Sequence, residues 1–148
     1  MDISLTSTWS RADQTYLSTG KWYGKPITQM ALDLRAGYDA AKAATPTIGK
    51  IHPVGQVFNC AITKGIADPN PYDGIAFGQI DLWTYDQYHA SVAGYYLEAL
   101  TIFIDITGAD PRQFGQKEQA AAELGISPAD AVRLQATAWQ AAINDGQC

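Results

Sequence analysis

The stretch from Val92 to Thr107 most constrains what this chain can fold into, because it is apolar on more than one face of a helix. Val92, Tyr96, Ala99, Leu100, Phe103 and Thr107 recur at helical spacing, and Leu97, Ile102, Ile104 and Ile106 widen the stripe. Such a helix has to be covered on two sides. It is no membrane span, since the run from Ala99 to Ile106 is interrupted by Asp105 and is too short for the ~30 Å of hydrocarbon. Its cover must come from the other elements of the chain or from a partner.

Asp2 to Thr8 alternates apolar and small polar residues and predicts a first strand. The strand ends at Trp9 to Asp13, and the stretch that follows, to Gly24, reads as a long irregular loop, a kind of segment that often carries function. After Pro26, the spacing of Ile27, Met30, Ala31, Leu34, Tyr38 and Ala41 predicts an amphipathic helix that stops at Thr45-Pro46. A second strand over Thr47 to Val54, a turn at Gly55 and a helix through Val57, Phe58, Ala61 and Ile62 follow. Ala67 to Gly74 is rich in turn residues, with Asp68 and Asp73 as turn formers. Past the stop at Gly108 to Pro111, a polar helix covers Gln116 to Leu124. The last helix starts at the Ser127 cap with Pro128 in its first turn. Its stripe is Val132, Ala136, Trp139 and Ile143, with Val132 and Trp139 read as core contacts.

Strands alternating with helices predict an α/β fold with a parallel sheet. Two strands are few for a sheet buried on both faces, and the first has an open edge. The expectation is therefore a partial α/β domain that self-associates through that edge or borrows its remainder from a missing N-terminal half.

With 148 residues, 47% hydrophobic and 17% charged, the chain has the composition of one globular domain. A net charge of −5 excludes a nucleic-acid partner, whose phosphates demand clustered Lys and Arg. Met1 to Leu5 has neither the basic nor the apolar tract of a leader, which predicts a cytoplasmic protein as written, and a secreted or periplasmic one if a leader lies upstream. Cys60 and Cys148 have no metal or redox spacing and are expected to be a buried small hydrophobe and a free tail thiol. No metal or cofactor is called for. His52 lacks a second ligand at useful spacing and reads as a strand-end residue.

The chemistry lies in the run Leu82-Trp83-Thr84-Tyr85-Asp86-Gln87-Tyr88-His89-Ala90-Ser91. Asp86 and His89 stand one helical turn apart at a loop-to-helix junction, where a carboxylate can orient a general-base imidazole. The spacing alone is common, and its setting among Trp83, Tyr85 and Tyr88 sharpens it. Trp9, Arg11, Tyr16, Trp22, Tyr23 and Trp83 are candidates to line a groove for a sugar ring or acyl group. The first five serve equally well as a loop covering the core, so both readings stay open. Ser7 and Ser10 read as strand-end and turn hydroxyls, and Ser91 as a helix cap.

The pattern D-x-Y-H-x-S-x-x-G-Y-Y-L-x-A-L over residues 86–100, the later I-T-G-A-D-P, and the upstream T-W-S-R-A-D-Q-T-Y, P-I-T-Q-M and H-P-V-G-Q-V-F together resemble the C-terminal half of the SGNH/GDSL hydrolase superfamily, in particular a branch of uncharacterised bacterial proteins. The resemblance implies part of a flavodoxin-like three-layer sandwich and a serine esterase acting on carbohydrate or other small-molecule esters. It implies His89 as general base and Asp86 as the acid that orients it. The family's Gly-Asp-Ser or Gly-Asn-Ser nucleophile block does not occur in this sequence, and the oxyanion-hole residues of the family's middle blocks have no counterpart either. The chain alone is thus expected to be inactive or nearly so. The alternatives are a non-catalytic binding or interaction module, or half of a split esterase.

Overall fold

A computed structural model describes residues 3–148. It is a mixed α/β protein with a two-stranded parallel sheet and six α-helices among the described residues. Strand β1 (Ile3–Thr6) leads through helix α1 (Ala12–Tyr16) and helix α2 (Thr28–Ala44) to strand β2 (Ile48–His52). Helix α3 (Val54–Thr63), a long connection, helix α4 (Val92–Thr107), helix α5 (Gln119–Glu123) and helix α6 (Pro128–Ala142) complete it. The strands pair Ser4 with Lys50, Leu5 with Ile51 and Thr6 with His52, after a shift of register between Ile3 and Ser4.

The demand that α4 be covered on two sides is met mostly by helices. α4 packs on both α3 and α6 and touches β2 near its own C-terminus. The shared core takes Val54, Val57, Phe58 and Ala61 from α3, Leu97, Leu100 and Ile104 from α4, and Leu134, Ala138 and Ala141 from α6. Full burial of side chains such as Phe58 or Leu97 is worth about 1.5–3 kcal/mol each. Ser91 caps α4 by accepting from the Gly94 N–H at 3.1 Å, and Gly108 ends it in the left-handed region at φ 69°. No helix among the described residues is long and apolar enough to cross a membrane.

Besides the second strand, which ends at His52 so that Val54 opens α3, and the polar helix, which splits into a 3-10 turn over Gly115–Lys117 and α5, four local expectations are corrected. The buried side of α6 is Ala131, Leu134, Gln135, Ala138 and Ala141, whereas Val132 and Ile143 are exposed. Small alanines let the helix approach α3 and α4 closely, so they form the contact face although the larger residues define a more hydrophobic stripe. The stretch after Asp13 is not irregular from its start, because α1 runs from Ala12 to Tyr16. Gly55 lies within α3 and makes no turn. Its N–H donates to the Ser7 carbonyl at 2.8 Å, and a Cβ there would collide with the Thr8 carbonyl oxygen and lie 2.9 Å from its carbon. Helix α3 thus docks on the chain leaving β1 through a contact that only glycine permits. Gly55→Ala is expected to lower stability by about 1–3 kcal/mol, the usual cost of overpacking, and a urea unfolding curve with an unchanged midpoint would contradict it.

The fourth correction concerns the cysteines. Cys60 and Cys148 form a disulfide, with Cα atoms 5.8 Å apart across 88 residues of sequence. After α6 docks on α3, the tail folds back over α3, where Gly146 sits against Gln56 and Pro53. Arg35 on α2 pairs with Asp145 at 2.8 Å and holds the tail from the other side. The bond depends on this return of the chain end, which cysteine spacing does not encode.

Candidate active site

The Asp86–His89 pair sits in a loop closed by the Trp83–Ala90 bridge, not on a helix. Thr84 N–H donates to the His89 carbonyl at 2.9 Å, and Gln87 adopts φ 57°, which no helix allows. Within this loop His89 Nδ1 lies 2.6 Å from Asp86 Oδ2. The other oxygen, Oδ1, accepts from Thr84 Oγ1 at 2.6 Å and from the backbone N–H groups of Tyr88 and His89, both at 3.0 Å. The carboxylate therefore does two jobs, building the turn and holding the imidazole. His89 Nε2 has no hydrogen-bond partner among the described residues, and the side chain is 56% exposed.

The Thr84 hydroxyl, then the His89 imidazole and the two backbone N–H groups, hold the Asp86 carboxyl well below the usual carboxylate range. A depressed folded value means that ionised Asp86 supports the loop at every pH above the ordinary aspartate value of about 3.9. That support is lost only as the pH falls through the lower folded value. The carboxyl carbon shift of Asp86 in an NMR titration is expected to stay flat where an unperturbed aspartate titrates. An ordinary titration near 3.9 would contradict the geometry.

His89 lines a cavity of about 320 Å³ together with Thr8, Trp9, Arg11, Met30, Leu34, Tyr88 and Tyr95. Its place follows from the topology, because the segment leaving β1 supplies Thr8, Trp9 and Arg11, and ligands in open α/β sheets collect at the carboxyl ends of strands. Trp9 stacks on Phe58 with ring centroids 5.2 Å apart, and its Nε1 donates to the Tyr88 carbonyl at 3.1 Å. The Arg11 guanidinium lies 3.7 Å from the Tyr88 ring centroid, and that ring lies 4.4 Å from the His89 ring. Asp13 takes Arg11 in a two-pronged pair at 2.6 and 3.0 Å. One wall of the cavity is therefore a stack of Arg11, Tyr88 and His89, and the floor is apolar.

Of the groove candidates, Trp9 and Arg11 join His89 in this cavity, and the others do not. Tyr16 donates its hydroxyl to the Pro69 carbonyl at 2.7 Å, and Trp22 donates to Asp33 on α2 at 2.7 Å. Tyr23 is exposed and outside the lining. Trp83 is corrected outright, since it is buried in the core with its Nε1 donating to the Ser10 carbonyl at 2.9 Å. An indole in such a stretch fills the core once its single donor finds a backbone acceptor. Sequence reasoning passed over Thr84, although a threonine two residues ahead of an aspartate is a legible turn signal. It also missed Thr8, Met30, Leu34 and Tyr95, which reach the cavity only through packing.

None of the serines considered reaches His89. Ser7 and Ser10 are buried, and Ser10 Oγ accepts from the Ala31 N–H at 2.9 Å. Ser91 donates to the Asp81 carbonyl at 2.7 Å while it caps α4. No protein-family model, curated protein or solved structure matches this chain.

Proposed function

We propose that this chain supplies the acid/base half of a serine-type ester hydrolase, with His89 as general base and Asp86 as the residue that orients it. The observation that carries the reading is the 2.6 Å contact of Asp86 with Nδ1 of a His89 that borders a cavity and leaves Nε2 without a partner among the described residues. Asp86 fixes the tautomer with the proton on Nδ1, so Nε2 is left to take the proton of an attacking hydroxyl. The nucleophile and oxyanion donors come from a polypeptide that completes the sheet beside β1, within a flavodoxin-like sandwich of the SGNH type. The apolar floor with Arg11 at its edge suits a small acyl or carbohydrate ester.

The test is the DNA immediately upstream of the Met1 codon and the polypeptide it encodes. Co-expressed with this chain, that polypeptide is expected to carry a Gly-Asp-Ser or Gly-Asn-Ser block and to give hydrolysis of p-nitrophenyl acetate that neither part shows alone. An upstream sequence without the block, together with an inactive pair, would sink the proposal. A second reading, a binding module for the same small molecules, is favoured by the lack of any serine in the cavity lining among the described residues. It predicts acetylated-sugar binding that survives His89→Ala.

The disulfide supports a working place outside the reducing cytosol, since such bonds persist in oxidising compartments. Thiol alkylation of the protein in intact cells is expected to leave Cys60 and Cys148 unmodified.

A further inference from the structure

We infer that Ser4, His52 and Asp105 form a second nucleophilic site, separate from the His89 cavity, which takes acyl groups from small esters. This inference goes beyond the reading above and does not depend on it. Three elements converge here, with Ser4 on β1, His52 at the end of β2 and Asp105 near the end of α4. Asp105 Oδ2 lies 2.8 Å from His52 Nδ1, and His52 Nε2 lies 3.0 Å from Ser4 Oγ. An ionised carboxylate can only accept, so Nδ1 carries the proton, and in the neutral imidazole Nε2 accepts from the serine hydroxyl. The order acid, imidazole, hydroxyl is that of a hydrolytic triad, which is recognised by geometry and roles and not by sequence position.

The distribution of burial is the informative part. The His52 and Asp105 side chains are 7% and 5% exposed, while Ser4 is exposed. Here the base and its carboxylate are sequestered, and the hydroxyl opens on a cavity of about 480 Å³ that His52, Lys50 and Ile106 also line. Lys50 engages the other carboxylate oxygen of Asp105 at 2.7 Å and its backbone carbonyl at 3.2 Å, which fixes the carboxylate against His52.

In the reaction, Ser4 Oγ bonds to the ester carbonyl carbon as its proton passes to His52 Nε2. The bond to the leaving alkoxide then breaks, and the alkoxide takes that proton. Water, giving its proton to the same Nε2, attacks the acyl-serine, and the acid leaves as the proton returns to Ser4 Oγ.

The test is labelling of the full chain, disulfide intact, with a fluorophosphonate probe read by intact mass and peptide mapping. One adduct on Ser4 is expected, forming at least roughly 100-fold faster in the folded protein than in guanidinium-unfolded protein, the lower end of general-base assistance. Ser4→Ala, at an exposed position, should stay folded and take no label. Absence of an adduct, an adduct on a different serine, or equal rates in folded and unfolded protein would each overturn the inference.

Discussion

Replacing His89 with Ala, in the chain paired with the nucleophile-bearing polypeptide proposed above, is expected to lower kcat/KM for p-nitrophenyl acetate by roughly 10²–10⁴-fold, the range of a lost general base. The imidazole side chain is 56% exposed, so the loss should leave the melting curve nearly unchanged and fall on the rate. Asp86→Asn probes the same geometry from the other side. An amide can still accept at Oδ1 from Thr84, Tyr88 and His89, but its NH₂ group then faces Nδ1 and favours the wrong imidazole tautomer. A drop of up to roughly 10⁴ is expected, as for an asparagine in place of a triad aspartate elsewhere. Steady-state kinetics of the two variants and their double mutant check this. Full independence of the two losses would show that His89 and Asp86 do not work as one unit.

Loss of the Cys60–Cys148 bond should have the largest effect on stability. A crosslink between residues 88 apart removes much freedom from the unfolded chain, and native disulfides typically contribute about 2–4 kcal/mol. Cys148→Ser, or reduction of the unaltered protein, is expected to lower stability by that amount. At about 2–4 °C per kcal/mol for this chain length, the melting temperature should fall by roughly 4–16 °C. The tail over α3 loosens first, because Arg35–Asp145 is then its main remaining side-chain tie, and it is a pair with Asp145 largely in solvent. Unfolding curves with and without reductant that superimpose would contradict this.

Much of the fold was legible because its signals are local. The α2 stripe ended one residue from where Thr45-Pro46 predicts, and the Ser91 and Ser127 caps stand where the helices begin. The Asp86–His89 contact was legible as a pairing but not as a conformation. Its three-residue separation fits a helical turn as well as the loop that Thr84 and a left-handed Gln87 impose. The groove was half legible, because Trp9 and Arg11 precede the cavity directly on the chain leaving β1. Trp22 and Tyr16 are drawn instead to acceptors on α2 and on the loop at Pro69.

The sequence by itself determined the alternation of strands with the long helices, the caps at Ser91 and Ser127 and the pairing of Asp86 with His89, because periodicity and capping act within a few residues. Only the tertiary structure decided that alanines and not Val132 would face the core from α6, that Trp83 would be buried, and that Cys148 would reach Cys60. It alone brought Ser4, His52 and Asp105 together. Each of these depends on contacts between residues tens of positions apart, where the winning partner is set by which surfaces can approach most closely and by which polar groups must be satisfied once water is gone.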